Sequence, residues 1–473
     1  MEIIGRKEEQ KIIRDAMDSN QSEFIAVYGR RRIGKTFLIK KFFHDKFDFY
    51  MTGIYDSTKK ELLEYFNAQL EEYSGKEWPI VDTWMKAFRQ LKNYLLSLKK
   101  DKVVVFIDEL PWFDTHRSRF IRALEVFWNG WLDNDVKLKF IVCGSATTWM
   151  TNKLIGDRGG LHNRVTRQIY LAPFNLHDTE ELLRSKGVTW DRKQIVECYM
   201  AMGGTPFYLS KTDKGMSLAQ NIDKLFFHKT GELRHEYDFL FRSLFHDSSL
   251  YRQIVELLAS KAEGLTRAEI KTMLNIQDGG NLSEALKNLI SCDFIRAYES
   301  YGKKERDRLY QLTDLYILFY LKQVKGNESE DEDYWLSRID LPSRRAWSGY
   351  AFEQVCLHHI PQIKKALGIN GIATKTGSWT GFQNGKKVGQ IDLVIDRRDD
   401  IVNLCEMKFS TQPFEITKEY MERIFARTAL FKEMTKTSKA PFITFITMNG
   451  LTSNSQASLI HNVITADELF APK

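Results

Sequence analysis

The sequence predicts an α/β protein built on a parallel sheet, and three stretches carry the prediction. Phe24-Ile25-Ala26-Val27-Tyr28, Val103-Val104-Val105-Phe106-Ile107 and Leu138-Lys139-Phe140-Ile141-Val142-Cys143 are nearly continuous apolar runs. They lack the alternation of a strand with one wet face, so each is expected to be covered by helices on both sides. The first run leads directly into a glycine-bounded basic loop and then an apolar helix, a strand, loop, helix unit. The 473 residues leave room for about three domains. With 43% hydrophobic and 28% charged residues and only nine prolines, the chain is neither disordered nor collagen-like.

Residues 1–175 are expected to hold this sheet. From 176 to 243 the pattern turns helical, with Thr179 to Leu183 and Ile195 to Met200 as helices ending at Gly203-Gly204, and reads as a helical lid. Residues 244–325 show three short helices, then Phe294 to Tyr298, a polar turn and Arg308 to Leu312, the order of a winged helix. Lys325 to Asp333 is mostly acidic and has no apolar residue, so 326–344 reads as a solvated linker. Residues 345–473 open with a helix near Ala346 to His359, continue into strands at Gly389 to Ile395 and Ile401 to Lys408, and read as a further α/β domain.

No apolar run approaches the roughly 20 residues that cross a bilayer, so no membrane partner is expected. Met1 to Glu8 lacks the basic-then-apolar order of a secretory signal, which places the chain in the cytoplasm. Five cysteines form no CxxC pair and suggest neither disulfides nor a zinc knuckle. A net charge of +7 is compatible with nucleic acid without indicating it.

Gly29-Arg30-Arg31-Arg32-Ile33-Gly34-Lys35-Thr36 matches GxxxxGK[ST] at every fixed position, between an expected strand and an expected helix. Glycines at 29 and 34 let backbone N–H groups curl around a β-phosphate, Lys35 sets a compact cation on the β and γ oxygens, and the Thr36 hydroxyl ligates Mg²⁺. The second apolar run, expected on the neighbouring strand, ends in Asp108-Glu109. Asp108 would hold the Mg²⁺ and Glu109 would polarise the attacking water. The third run ends at Cys143-Gly144-Ser145, where Ser145 or Thr147 would sense the γ-phosphate. Arg158, Arg164 and Arg167 fall in a basic loop, and Arg164 is the candidate for stabilising transition-state charge.

These residues resemble the archaeal-type ATPases of the STAND branch of AAA-related P-loop NTPases. Ile4-Gly5-Arg6-Lys7-Glu8-Glu9 and Gly203-Gly204-Thr205-Pro206-Phe207-Tyr208-Leu209 extend the resemblance over roughly residues 1 to 320. It implies ATP as the nucleotide, with Ile4, Gly5 and Arg6 near the adenine and Pro206 packed on it. Lys7 stands where that family usually has an acidic residue.

In the C-terminal part the spacing is Asp392-x13-Glu406-x-Lys408. Residues two apart in a strand share a face, and a hairpin would bring Asp392 beside Glu406 and Lys408. Two such carboxylates bind hard cations, and the amine lowers the energy of an attacking hydroxide. Glu353 would add a third carboxylate. These residues resemble the PD-(D/E)xK nuclease superfamily, a restriction-endonuclease-like fold. That resemblance implies Mg²⁺ or Mn²⁺ and a nucleic-acid phosphodiester, usually of DNA; no Pro precedes Asp392.

Further features carry less. The third helix of the winged segment, Asn281 to Ser291, offers Lys287 to DNA, and the wing offers Lys303, Lys304, Arg306 and Arg308. The same element suits a protein partner equally. His358-His359 lacks further ligands at metal spacing, and Trp112, Phe113, Trp128 and Trp131 read as core. The resulting expectation is an ATPase whose nucleotide state controls a DNA nuclease-like domain. The rival is a nucleotide switch with a non-cleaving recognition domain, and a DNA-translocating motor, acting as a homo-oligomer, is a third.

Overall fold

The computed structural model describes residues 2–132, 134–156, 163–245, 247–277, 279–303, 308–327, 331, 333–338, 341–384 and 386–472. The chain divides into two compact units, Met1–Ala172 and Pro173–Lys473. Among the described residues no helix is long and apolar enough to cross a membrane. All five cysteines are buried.

The first unit holds five parallel strands: β1 Glu23–Tyr28, β2 Phe49–Thr52, β3 Lys102–Asp108, β4 Lys137–Gly144 and β5 Arg167–Tyr170, in the order β2-β3-β4-β1-β5. The three apolar runs are β1, β3 and β4, and side chains from both faces of each are buried. On one face Ile25, Val27, Phe106 and Ile141 meet Ile13 and Ala16 of the helix Lys7–Asp18 and Leu38 and Ile39 of the helix Lys35–Phe42. On the other, Phe24 and Phe140 pack with Trp128 and Phe127 of the helix Phe120–Trp131, ring centroids 5.1 Å apart for Phe24 and Trp128. Phe113, Trp128 and Trp131 are therefore core, each ring contributing on the order of 2–3 kcal/mol by burial; Trp112 is half-buried, edge-on to Tyr55.

Two expectations about this unit are corrected. The strand bearing Asp108 is not next to the strand bearing the phosphate loop, because β4 pairs with both, Ile141 lying opposite Ile25 on one side and Phe106 on the other. Three runs of similar apolarity contain nothing that ranks them across a sheet. Arg167 is likewise no loop residue: it opens β5, opposite Ile25, with its guanidinium 3.5 Å from Glu23.

Inside β4 the fully buried Lys139 sends its ammonium to the end of the helix Lys7–Asp18. Nζ donates to Ala16 O at 2.7 Å, Ser19 O at 2.9 Å, Ser19 Oγ at 3.0 Å and Gln21 O at 2.7 Å. A cation there satisfies carbonyls that the helix end leaves open and complements its dipole.

The second unit contains three segments that interlock. The helices Leu176–Ser185 and Arg192–Met202 start at Asn175 and Asp191, whose side chains accept from the Asp178 and Gln194 N–H groups. Next come the helices Ser249–Ala259, Arg267–Leu274 and Gly280–Ser291, with an antiparallel sheet of β6 Leu265–Thr266, β7 Ile295–Tyr298 and β8 Leu309–Leu312 in the order β6-β8-β7. The last part opens with the helix Pro342–His358. It continues through β9 Thr374–Gln383, β10 Lys386–Arg397, β11 Ile401–Lys408, the helix Lys418–Thr435, β12 Ala440–Thr447 and β13 Asn462–Thr465, ordered β13-β12-β11-β10-β9. β9, β10 and β11 run antiparallel to their neighbours in turn, and β11, β12 and β13 run parallel.

The expected linker 326–344 is not solvated throughout. Trp335 is 3% exposed, packed against Phe319 at 5.1 Å and Trp347 at 5.6 Å, and the Asp223 carboxylate accepts from the N–H groups of Trp335 at 2.6 Å and Leu336 at 3.0 Å. Aromatic partners from distant segments outweigh the local polarity. Residues 328–330, in the acidic stretch, lie outside the described residues. His359 has a structural role: buried, it accepts the Leu176 N–H at Nε2, 2.9 Å, while Nδ1 lies 2.7 Å from Val355 O.

Lys139→Met keeps the bulk and removes the donors from these acceptors. The expected loss is about 3 kcal/mol of unfolding free energy, read from urea denaturation of the full chain; an unchanged midpoint would show that the ammonium is dispensable.

Candidate functional site

The loop after β1 is shaped by two glycines in the left-handed region, Gly29 at φ 145° and Gly34 at φ 87°. A Cβ on Gly29 would stand 2.4 Å from Leu171 O and 2.6 Å from Ile33 Cδ1, whereas one on Gly34 would meet nothing within 4 Å. Lys35, which opens the helix after Gly34, is buried, and its ammonium donates to Gly29 O at 3.0 Å and Arg30 O at 2.9 Å. The loop therefore closes around a cation, with helix N–H groups at its exit, an arrangement that holds phosphate oxygens.

Thr36 Oγ1 donates to Asp108 Oδ2 at 2.6 Å, although β4 lies between their strands. Burial, the largest effect, pushes the Asp108 carboxyl above its usual range, and the Thr36 hydrogen bond opposes this. A half-buried hydroxyl and a buried carboxylate converging beside a phosphate loop fit a hard cation, which would relieve the cost of that charge. Glu109, with φ 46°, points its carboxylate to the tip of β4, where Oε2 accepts from Ser145 Oγ at 2.8 Å and Ser145 N at 3.2 Å. Ser145, expected at the γ-phosphate, thus also holds Glu109, and Thr147 is buried.

Around the loop, the half-buried turn Ile4-Gly5-Arg6 is tied down by Arg6, whose Nη2 donates to Ala172 O at 2.7 Å and Ile33 O at 3.4 Å. Arg164 is exposed, and Arg158 lies outside the described residues. Pro206 belongs to the second unit, where it opens the short helix Pro206–Leu209.

The C-terminal residues form a separate cluster. The β10–β11 register runs to Leu393 opposite Cys405, which leaves Asp392 and Glu406 one residue beyond it and near enough for the Glu406 charge to act on Asp392, while Glu406 and Lys408, two apart on β11, share a face. Glu406 is buried and accepts from Tyr420 Oη at 2.6 Å, from Lys408 Nζ at 2.9 Å and from Arg427. Burial alone would raise its pKa, but Arg427 and Lys408 together pull it below the usual range. Glu353, half-buried on the helix Pro342–His358, is pushed up to about 8, first by burial and then by the Asp392 charge; Asp392 is itself raised, by burial and by Glu406. Carboxylates that repel one another in a buried place suit a divalent cation, which would lower all of them. Their ligand atoms do not, however, all lie within 4.8 Å of one another; among the described residues the group that does is His177, Asp178 and Glu181, with His177 on Glu181 at 3.4 Å.

Tyr420 and Arg427 escaped the sequence reading. Their seven-residue spacing on the helix Lys418–Thr435 is a same-face signal, but nothing local directs that face to Glu406.

A family model described as an ATPase domain predominantly from Archaea matches residues 4–212. Residues 4–212 carry an archaeal-type ATPase domain. A further match is an uncharacterized protein of Methanocaldococcus jannaschii, 27% identical over 397 residues, 83% of this chain and 84% of its own length. Among solved structures, a Walker-type ATPase of Pyrococcus abyssi is 18% identical with a TM-score of 0.49, covering 67% of this chain and 96% of its own. A STAND protein with a tetratricopeptide repeat sensor from Pyrococcus horikoshii is 17% identical with a TM-score of 0.31, covering 77% of this chain and 50% of its own.

Within the ATPase domain the two loop glycines predict different outcomes. Gly29→Ala drives a methyl into Leu171 O and is expected to cost at least about tenfold in ATP affinity together with a lower melting temperature. Gly34→Ala has room and carries only backbone strain, on the order of 1–2 kcal/mol. Titration calorimetry with ATP and thermal melting of both variants check this; equal behaviour would remove the steric account.

Proposed function

We propose that the ATPase domain binds and hydrolyses ATP with Mg²⁺, and that its nucleotide state controls the carboxylate cluster as a metal-dependent nuclease site acting on DNA. The observation that carries the ATP half is Lys35 inside a glycine loop beside the Thr36–Asp108 contact. In this reading Lys35 neutralises the β and γ oxygens, and Glu109 orients a water whose oxygen bonds to the γ-phosphorus as the bond to the bridging oxygen breaks. Mg²⁺ held through Thr36 and Asp108 would supply further neutralisation of the phosphates. Glu109 must exchange Ser145 for that water, which offers a switch between resting and active states. Arg164 is proposed as the residue stabilising transition-state charge, with Ile4, Gly5, Arg6 and Pro206 on the adenine side.

For the second half, Asp392, Glu406 and Glu353 would hold Mg²⁺ or Mn²⁺, which supplies charge for phosphodiester hydrolysis, and Lys408 would stabilise the attacking hydroxide. Support for control comes from one helix: Pro342–His358 bears Glu353, and the residue after it, His359, holds the Leu176 N–H at the start of the helix Leu176–Ser185. The segment with β6, β7 and β8 has the strand and helix order of a winged helix and is proposed to contact DNA.

A second reading is favoured by a specific observation, the separation of the three carboxylates beyond mutual metal-binding distance. It makes the cluster part of a non-cleaving recognition module that binds DNA or protein under nucleotide control.

Two variants divide these readings. Glu109→Gln is expected to retain ATP but to hydrolyse it about 10²–10⁴-fold more slowly; hydrolysis at the wild-type rate would remove Glu109 from the mechanism. Glu406→Ala is expected to abolish cleavage of linear, branched and single-stranded DNA in Mg²⁺ or Mn²⁺. If the wild-type chain cuts none of these while hydrolysing ATP and retaining DNA, the recognition reading replaces the nuclease one.

A further inference from the structure

A cleft of about 940 Å³ in the second unit is walled by β7 and the residues after it on one side, and by β9 and β10 on the other. Arg296 and Tyr298 line it from the first side, Lys375 and Asp392 from the second. β7 comes from the three-helix segment, Asp392 from the carboxylate cluster, so the cleft is built by two segments expected to be separate.

The two walls are joined by backbone contacts. Beyond β7, Tyr301 N donates to Ser378 O at 2.6 Å and Ser300 forms an isolated parallel bridge with Ser378 on the edge of β9. Gly377 permits this approach, since a Cβ there would stand 2.4 Å from Glu299 O. The Tyr301 ring packs on Phe431 at 5.1 Å, and Tyr350, on the helix that bears Glu353, donates its hydroxyl to Leu312 O of β8 at 3.3 Å.

Arg296 therefore has a fixed station beside the carboxylates. Gln311 Oε1 accepts from its Nε at 2.8 Å and from Nη2, and the guanidinium lies 4.8 Å over the Tyr298 ring. Two of its five N–H donors are thus used, leaving a fork suited to phosphate oxygens. Burial lowers its pKa, while Tyr298, Tyr350, Asp392 and Glu353 act in the opposite sense. Lys303, Arg308 and Lys375 line the same cleft. Of the acids there, Asp396 is paired with Lys439 at 2.6 Å and Glu299 with Arg308 at 3.7 Å, whereas among the described residues Asp392 receives only the neutral Gln390 amide in hydrogen bonding.

We propose that this cleft is the nucleic-acid groove of the carboxylate site, and that Arg296 clamps the phosphate of a DNA strand beside Asp392. The inference rests on the reading of the cluster as a phosphodiester site. It adds that the site is composite: the residue gripping the phosphate comes from the segment with β7, so residues 345–473 alone lack it. Arg296 binds substrate and Gln311 positions it.

The test uses the full chain and a fluorescein-labelled DNA duplex with a single-stranded tail. Ca²⁺ replaces Mg²⁺, so that binding is read by anisotropy apart from cleavage. Arg296→Ala is expected to weaken binding about tenfold and to lower the slope of log K against log salt by about one, with ATP hydrolysis and melting temperature unchanged. Arg296→Lys keeps the charge and loses the fork; it is expected to restore the slope while recovering only part of the affinity, and it stands in if the alanine variant melts early. Unchanged affinity and slope in both variants overturn the clamp, as does a wild-type chain that retains no DNA. Cleavage in Mg²⁺ by wild type against Glu406→Ala judges the nuclease reading separately, since removing a clamp from a non-cleaving groove would still lower the salt slope.

Discussion

The hydrogen bond from Thr36 to Asp108 sets the conditions for the rest of the first unit. It joins the helix after β1 to the end of β3 across the end of an intervening strand, so β4 must stop and turn away at the same level. Gly144 makes that possible: a Cβ there would stand 2.6 Å from Met150 Sδ and 2.9 Å from Pro111 Cδ. The next residue, Ser145, then meets Glu109. Phosphate loop, carboxylate pair and polar tip are consequently one object, assembled from three strand ends in a parallel sheet, where all those ends share one edge.

Buried charge is the recurring material, and in each case its partners decide its behaviour. Lys139 is held by carbonyls at a helix end, and Asp223 by two backbone N–H groups. Arg427 and Lys408 outweigh burial at Glu406 and lower its pKa, whereas Glu353 and Asp392 are raised by burial first and by neighbouring carboxylates second. Groups of one type are thereby shifted in opposite directions by their surroundings. Among the described residues, this contrast is what sets the cluster apart from surface acids such as Asp82 or Asp399, whose pKa values are lowered by a neighbouring lysine or arginine.

The second unit shows why composition alone misplaces boundaries. Trp335 follows an acidic stretch and still belongs to an aromatic core with Phe319 and Trp347, and His359, at the end of the Glu353 helix, completes the start of a helix more than 180 positions earlier in the chain. Ser300, beyond β7, bridges to the edge of β9. Such contacts bind segments that look independent in sequence, and they place the carboxylate cluster under the influence of residues outside residues 345–473.

Local chemistry was legible in the sequence. Left-handed glycines at 29 and 34, the apolar runs of β1, β3 and β4, and the hairpin of β10 and β11 each depend on residues close in the chain, so spacing and residue type were enough to find them. Tertiary structure alone decided that β4 lies between β1 and β3, that Ser145 holds Glu109, and that Arg296, Tyr420 and Arg427 surround the carboxylates. Strand order among equally apolar runs has no local signature, and an arginine on a half-buried strand or helix looks the same whether its head meets water or a buried carboxylate. What selects between those fates is the burial free energy of distant surfaces, summed over the whole fold.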